Sequence, residues 1–311
     1  MATVAPEPVK DFAVPHPRRY MPTLARTLLA FHLLLPLALI PYCFAWWSIP
    51  IVLLGNCLFG SIGINLGYHR LLTHRSLEVP KWLEKVFVLC GVCSLEGSPV
   101  TWVATHRAHH QHGDEPGDPH SPVNNFYWGH MGWIYTVNPQ LMSLGTLEKY
   151  VPDLLADKFI RKLHRKNLWL RIYYLHAALL VVAAFFAGWA IFGELEDAVQ
   201  LAAQMFVWGV VVRTVYVWHV TWLVNSAAHR WGYQNYKTGD ESRNNWVVAA
   251  LTNGEGWHNN HHAAPRSAAH GHRWWEVDLT YTFIRCLELV GLAKQVVPVK
   301  VAAYKAVEEK G

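Results

Sequence analysis

Three short runs of histidine carry the chemistry of this chain. His106, His109 and His110 follow i, i+3, i+4 spacing, and His258, His261 and His262 repeat it. On a helix that spacing places the imidazoles on one face. His69 and His74 stand five apart after one long apolar run, and Asn225 and His229 stand four apart after another. Neutral imidazole is a ligand for iron, zinc or copper. These nine histidines exceed the shell of one octahedral ion, so the pattern implies two metals. No carboxylate lies inside any of the runs, so the ions would be held almost wholly by nitrogen. One histidine in a loop is an ordinary polar residue; two HxxHH runs beside two further sets are not.

The composition narrows the setting. Of 311 residues, 52% are hydrophobic and 16% charged, where about 25% charged is usual. That excludes a disordered chain. Five cysteines are too few to staple a chain of 311 residues, and no fixed-period repeat marks a solenoid. The net charge is +5, but the basic residues are scattered among Trp and Leu without forming a stripe, which argues against nucleic acid as a partner.

The elements that position the histidines are apolar runs. Residues 27–68 carry no charged side chain, and the run divides at Trp46-Trp47-Ser48-Ile49-Pro50. A second pair of runs is joined by Gly193-Glu194-Leu195-Glu196-Asp197. Each is about 20 residues, enough to cross a core of about 30 Å. The spacing predicts spans at about 25–46, 49–68, 169–192 and 200–225. Neither short outer loop contains Lys or Arg, whereas the N-terminal segment and both long segments do. The positive-inside rule then puts both termini and all four histidine sets on the cytoplasmic side. No secretory signal pattern is visible in the first 23 residues, which hold Glu7 and Asp11 and no apolar core. Residues 86–95 are too short to span and read as an interfacial or buried helix, and 279–297 as a helix lying on the membrane face. Cys90 and Cys93 read as helix packing.

Gly67-Tyr68-His69-Arg70 with His74, Trp102-Val-Ala-Thr-His106-Arg-Ala-His-His110, Trp222-Leu-Val-Asn225-Ser-Ala-Ala-His229 and Gly254-Glu-Gly-Trp257-His-Asn-Asn-His-His262 resemble the histidine boxes of the membrane-bound fatty acyl desaturases. The likeness is to the Δ9 (stearoyl-CoA-type) branch, nearest its bacterial and cyanobacterial forms. It implies an all-α integral membrane fold: two hairpins of transmembrane helices under a helical cytosolic cap. The domains expected are a cytosolic segment 1–23, one desaturase domain 24–297 with its cap in 69–168 and 226–297, and a tail 298–311. The resemblance further implies two irons. One would take His69, His74, His106, His110 and His261; the other His109, His229, His258 and His262, with Asn225 acting through a water. It implies a bacterial inner-membrane enzyme using O2, a fatty acyl substrate, and an outside electron donor of ferredoxin or cytochrome b5 type. The acyl tunnel would be lined by Trp102, Thr221, Trp222 and Glu96, the last where the family typically has Gln.

Hydrogen removal from an unactivated methylene is beyond side-chain acid–base chemistry, so a cofactor must perform it. Asp114, Asp118, Asp240 and Glu255 are candidates to orient the histidine rings, and His112 and His120 trail the first HxxHH run closely enough to assist. Cys57, Ser61 and Asn65 recur every fourth residue before His69, which predicts a stripe facing the tunnel. Ala104-Thr105 stands where the animal acyl-CoA enzymes have an Arg-Asp pair that contacts CoA. That leaves CoA, a lipid or a carrier protein open as the acyl carrier. Arg213 is a charge in mid-span and by default a functional candidate. His32, His176 and His219 also lie inside spans, where two facing imidazoles could ligate haem. The alternatives are therefore a membrane haem b electron-transfer protein, a di-iron hydroxylase sharing the boxes, and a zinc or nickel transport or storage protein.

Overall fold

The computed structural model describes residues 20–301 except 124, 137 and 139–142. Most of the expected N-terminal segment, with His16, and the end of the C-terminal tail lie outside the described residues. Among these residues the secondary structure is helical, with isolated bridges and no strand. Four helical runs are long and apolar enough to cross a membrane: Pro22–Leu39, Ser48–Thr73, Lys158–Phe192 and Leu195–His229. They are spans one to four below. The architecture is that of an all-α membrane protein carrying a histidine-rich cluster.

Spans one, two and four depart from simple α winding, span four by a wide-wound stretch at Met205–Val212. Span one is α-helical only to Leu34 and continues as tighter turns at Leu35–Leu39 and Pro41–Cys43. Pro36 and Pro41 offer no backbone N–H to an α-helical ladder, so the helix ends sooner than apolarity suggests. Span two is α-helical over Ser48–Gly55 and then winds wider over Asn56–Thr73, with i→i+5 bonding. Its last bonds run from His74 N to His69 O at 3.1 Å and from Thr73 Oγ1 to Tyr68 O at 2.8 Å. Wide turns of this kind concentrate at functional sites. The helix therefore continues past the expected end at 68 and carries His69 and Arg70 within it.

The helix Lys81–Val92 lies against span two with Val88 and Val92 fully buried. The stretch 86–95 is buried on one side only: Phe87, Val88 and Val92 pack inward while Val86 is exposed. Its approach depends on paired glycines: a Cβ on Gly63 would stand 2.4 Å from the backbone N of Gly91. Cys90 and Cys93 belong to this packing, as expected. Arg213 of span four is also structural. Its guanidinium donates to Cys93 O at 2.6 Å and to Gly209 O at 3.0 Å, and lies 4.3 Å from the Phe59 ring centre. Gly55 makes room for its stem, since a Cβ there would meet Arg213 Cγ at 2.3 Å. The helix Leu279–Leu289 buries Ile284 and Leu287 and exposes Leu279 and Leu289, the two-faced pattern expected of a helix on a membrane surface.

Arg70 ties span two to the C-terminal part of the chain. It is fully buried and donates to Glu255 Oε1 at 2.8 Å, to both oxygens of Asp278 at 3.0 Å, and to Ala268 O at 2.7 Å. Removing one partner of a buried pair leaves an uncompensated charge, at a cost of about 3–5 kcal/mol. Arg70→Ala is therefore expected to lower the thermal unfolding midpoint of detergent-solubilised protein sharply. Arg75→Ala, at a largely exposed ion pair with Asp153, should stay within about 1 kcal/mol of the parent.

Candidate metal centre

The histidines converge beneath the cap in two groups. His69, His74, His106, His110 and His261 bring five ring nitrogens within 4.8 Å of one another, and His109, His229, His258 and His262 bring four within the same distance. These are the two sets drawn from the resemblance. Two helices and the ends of two spans supply most of them. The helix Pro99–His112 begins at Pro99 with Ser98 Oγ accepting from Thr101 N at 3.2 Å, so its HxxHH run lies on one inward face. The short helix His258–Ala263 is fully buried along its box. The C-terminal ends of spans two and four supply His69 and His229.

The ring orientations are fixed by carboxylates. His69 Nδ1 pairs with Glu255 at 2.6 Å, His109 Nδ1 with Asp118 at 2.9 Å, His229 Nδ1 with Asp114 at 2.8 Å, and His262 Nδ1 with Asp240 at 2.6 Å. All four acids flagged in the sequence occupy this role. With Nδ1 engaged, each Nε2 is left for the cluster. Within the first group the His69–His261, His106–His110 and His110–His261 Nε2 pairs lie 3.1, 3.1 and 2.9 Å apart. Within the second, His229–His258 and His258–His262 lie 3.0 and 3.1 Å apart. Nitrogens bound to one ion at right angles would be about 3.0 Å apart, and about 3.4 Å in a tetrahedral shell. The spacing fits octahedral ions better than tetrahedral zinc. His74 Nε2 and His109 Nε2 are buried without a hydrogen-bond partner, as ligand atoms awaiting an ion would be.

The electrostatics agree. Burial pushes His106, His110, His258 and His261 well below the ordinary imidazole range, helped by neighbouring rings, so they are neutral as ligands must be. Burial alone would raise the acids. The hydrogen bond and charge of His229 instead hold Asp114 down at about 2, and the charges of His270, Arg70 and His69 hold Glu255 well below the carboxylate range.

A cavity of about 410 Å³ reaches these clusters. Trp102, Thr221, Trp222, Glu96, Asn65 and Asn225 all line it, together with His69 and His106. Asn225 stands one turn before His229. Trp102 Nε1 donates to Glu96 Oε2 at 3.2 Å, and Trp222 stacks on Trp218. Cys57 and Ser61 do not line it, which corrects the expected stripe. Cys57 is exposed on the outer face of the span, and Ser61 accepts from Asn253 Nδ2 at 2.5 Å. The i, i+4 argument assumes α winding, whereas this helix is wound wider, and residues four apart no longer share its line. Asn65 donates to Thr252 O at 2.6 Å and stays at the cavity.

Sequence reasoning left other site residues unassigned. His270 lies 3.2 Å from Glu255, in a third His/Glu group with His69. Asn259 and Asn260, inside the last box, bind the loop at 235–244. Their only signal was their place between histidines. Of the two trailing histidines, His120 packs 4.4 Å from the ring of His109, whereas His112 turns away to Tyr150 at 3.4 Å. His32 and His219 meet directly at 3.0 Å between Nε2 atoms, and His130 reaches His219 at 2.9 Å. Two imidazoles across one ion need about 4 Å, so these leave no slot for haem. Both histidine groups sit at the ends of spans, not at the middle of their length, where a transport site would lie. Asp240→Asn, which removes one orienting carboxylate, is expected to weaken metal retention about 10–100-fold. Metal per chain after chelator competition reads this directly.

A fatty acid desaturase family model matches residues 41–285. The chain is 42% identical over 268 residues to an sn-1 stearoyl-lipid 9-desaturase of Anabaena variabilis, covering 86% of this chain and 90% of that protein. It is 43% identical to an sn-2 palmitoyl-lipid 9-desaturase of Nostoc sp., covering 86% of this chain and 87% of that one. It is also 43% identical to an acyl-CoA 5-desaturase of Anemone leveillei, covering 82% and 74%. Spans, histidine clusters and relatives agree: this chain belongs to the fatty acid desaturase family, and it is a membrane oxidoreductase acting on fatty acyl chains.

Proposed function

We propose that the protein is a di-iron, O2-dependent desaturase that places a cis double bond at the Δ9 position of a saturated acyl chain. The observation that carries the metal reading is the pair of all-imidazole groups whose nitrogens stand at the separation of neighbouring ligands on an octahedral ion. His69, His74, His106, His110 and His261 would hold one iron; His109, His229, His258 and His262 the other, with Asn225 completing that shell through a water. When bound, the irons with O2 supply the oxidising power that an unactivated methylene requires. One acyl chain, one O2, two electrons and two protons give the alkene and two waters.

The chain's own residues do the positioning. Trp102 and Trp222 wall the cavity beside His106, holding one C–C bond near the metals and excluding others. Glu96, braced by Trp102 and Thr221, fixes the adjoining wall. Asp114, Asp118, Asp240 and Glu255 keep the imidazoles aimed. The electrons come from a separate ferredoxin or cytochrome b5 type donor. The domain at 24–297 sits in a bacterial inner membrane with both termini and the metal site on the cytoplasmic side.

Expression in a host with a defined fatty-acid pool should yield a new cis-monoene by gas chromatography. His109→Ala should yield none while the protein stays membrane-integrated. A new hydroxy acid in place of the alkene would instead identify a hydroxylase. Glu96 supplies a second check. Burial pushes its carboxyl up to about 8, against the hydrogen bonds from Thr221 and Trp102, and its Oε1 is buried without a partner. It is uncharged at neutral pH and ionises as pH rises through about 8, which places a charge in an apolar cavity. Activity is expected to fall over that alkaline range, and Glu96→Gln to retain activity there; identical alkaline limbs in both proteins would refute the role.

A further inference from the structure

Relatives at similar identity act on lipid-linked and on CoA-linked chains, so the carrier must be read from this chain itself. We propose that the cavity opens sideways into the bilayer between the cytosolic ends of spans one and three, where neutral polar groups receive the ester end of a membrane glycerolipid. The proposal rests on the desaturase reading and adds the substrate's carrier and its route.

The opening is defined by the walls of the cavity. One side comes from the first turns of span one, at Thr23, Leu24 and Thr27; the other from the start of span three, at His164, Asn167 and Trp169. Thr23 and Asn167 both line the cavity and are exposed, so the cavity meets the surface between them. Further along, the same two spans close on each other, with Phe31 and Tyr173 6.2 Å apart between ring centres. The gap is therefore confined to one end. Exposed Arg26, Arg165 and Lys166 flank it, and Trp169 stands beside it. Cations and tryptophan mark the headgroup layer of a bilayer. The opening lies at the depth of lipid ester linkages, below the water through which acyl-CoA arrives.

The groups at the opening suit an ester. Ser98 Oγ lies 2.8 Å from His164 Nδ1 and 3.0 Å from Thr101 Oγ1, just inside the gap. Among the described residues no partner occupies His164 Nε2, and Asn167 and Thr23 add an amide and a hydroxyl. Among the described residues no lysine or arginine lines the cavity, so the cations that could meet a headgroup phosphate are Arg26, Arg165 and Lys166 at its rim. An ester carbonyl needs only neutral donors.

The full-length protein in phosphatidylcholine vesicles tests this without metal, electrons or turnover. The probe is a phospholipid whose sn-1 stearoyl-length chain carries a diazirine near the ester. After illumination, label is expected on residues 98–102 as well as 164–170. Ser98 is 1% exposed, beyond the reach of lipid that merely surrounds the spans. Thr27→Trp, which fills the gap, should lose most label at 98–102, as should Thr23→Trp at the rim should the first variant fold poorly. Leu33→Trp, on the outer face of span one, should keep it. Label confined to outer positions such as Leu33 and Phe186 would overturn the proposal. So would label at 98–102 from a diazirine stearoyl-CoA added in water but not from the lipid. Either result leaves the desaturase reading intact, because that reading fails only if no desaturated acid forms in the expression host.

Discussion

Everything in this structure depends on keeping nine imidazoles out of bulk water and aimed at two points. A buried polar ring without a partner is costly, and nine together would favour opening the cap. Two features offset this. Each cluster offers its Nε2 atoms to a shared centre, and on four rings a carboxylate occupies the opposite nitrogen. Those carboxylates bring buried charge of their own, and a protonated or metal-ligated imidazole is what neutralises it. The apparently redundant pairs His69–Glu255, His109–Asp118, His229–Asp114 and His262–Asp240 are thus the condition under which the clusters persist.

That condition reaches into the membrane. Glu255 touches His69 with one oxygen and Arg70 with the other. Arg70 passes the link to Asp278, which also caps the helix Leu279–Leu289 by accepting from Tyr281 N at 2.8 Å. The end of span two, His69 and the helix Leu279–Leu289 are therefore joined by one buried network.

The sequence made the metal chemistry legible because its ligands are local patterns: HxxHH reads the same wherever it occurs. The four spans were legible because apolar length is a local property too. The orienting acids were found because each follows a box or lies near one in the chain. Arg70 was passed over although it stands inside a box, since its partners are 185 and 208 residues away. His270 was passed over for a different reason: Glu255 is near it in the chain, but His270 stands outside every box and no spacing pattern marks it. The stripe at Cys57 and Ser61 failed differently. Periodicity converts to a face only if the winding is known, and nothing in the residue types of span two announces i→i+5 bonding.

Mid-span Arg213 shows how a feature that reads as chemistry can be architecture in its service. It holds Cys93 O, and Trp218 Nε1 holds Ser94 O at 3.0 Å. The turn they grip carries Leu95 at φ 63°, a left-handed conformation unfavourable for leucine, followed by Gly97 at φ 112°. A strained leucine persists only where its neighbours over-determine it, and here it presents Glu96 to the cavity between them. A carboxyl in that setting stays protonated because it cannot swing out to water. The charge in the span and the uncharged acid in the cavity are then two ends of one device: Arg213 spends its hydrogen bonds on backbone carbonyls, and the rigidity this gives holds Glu96 in the buried setting that keeps it uncharged.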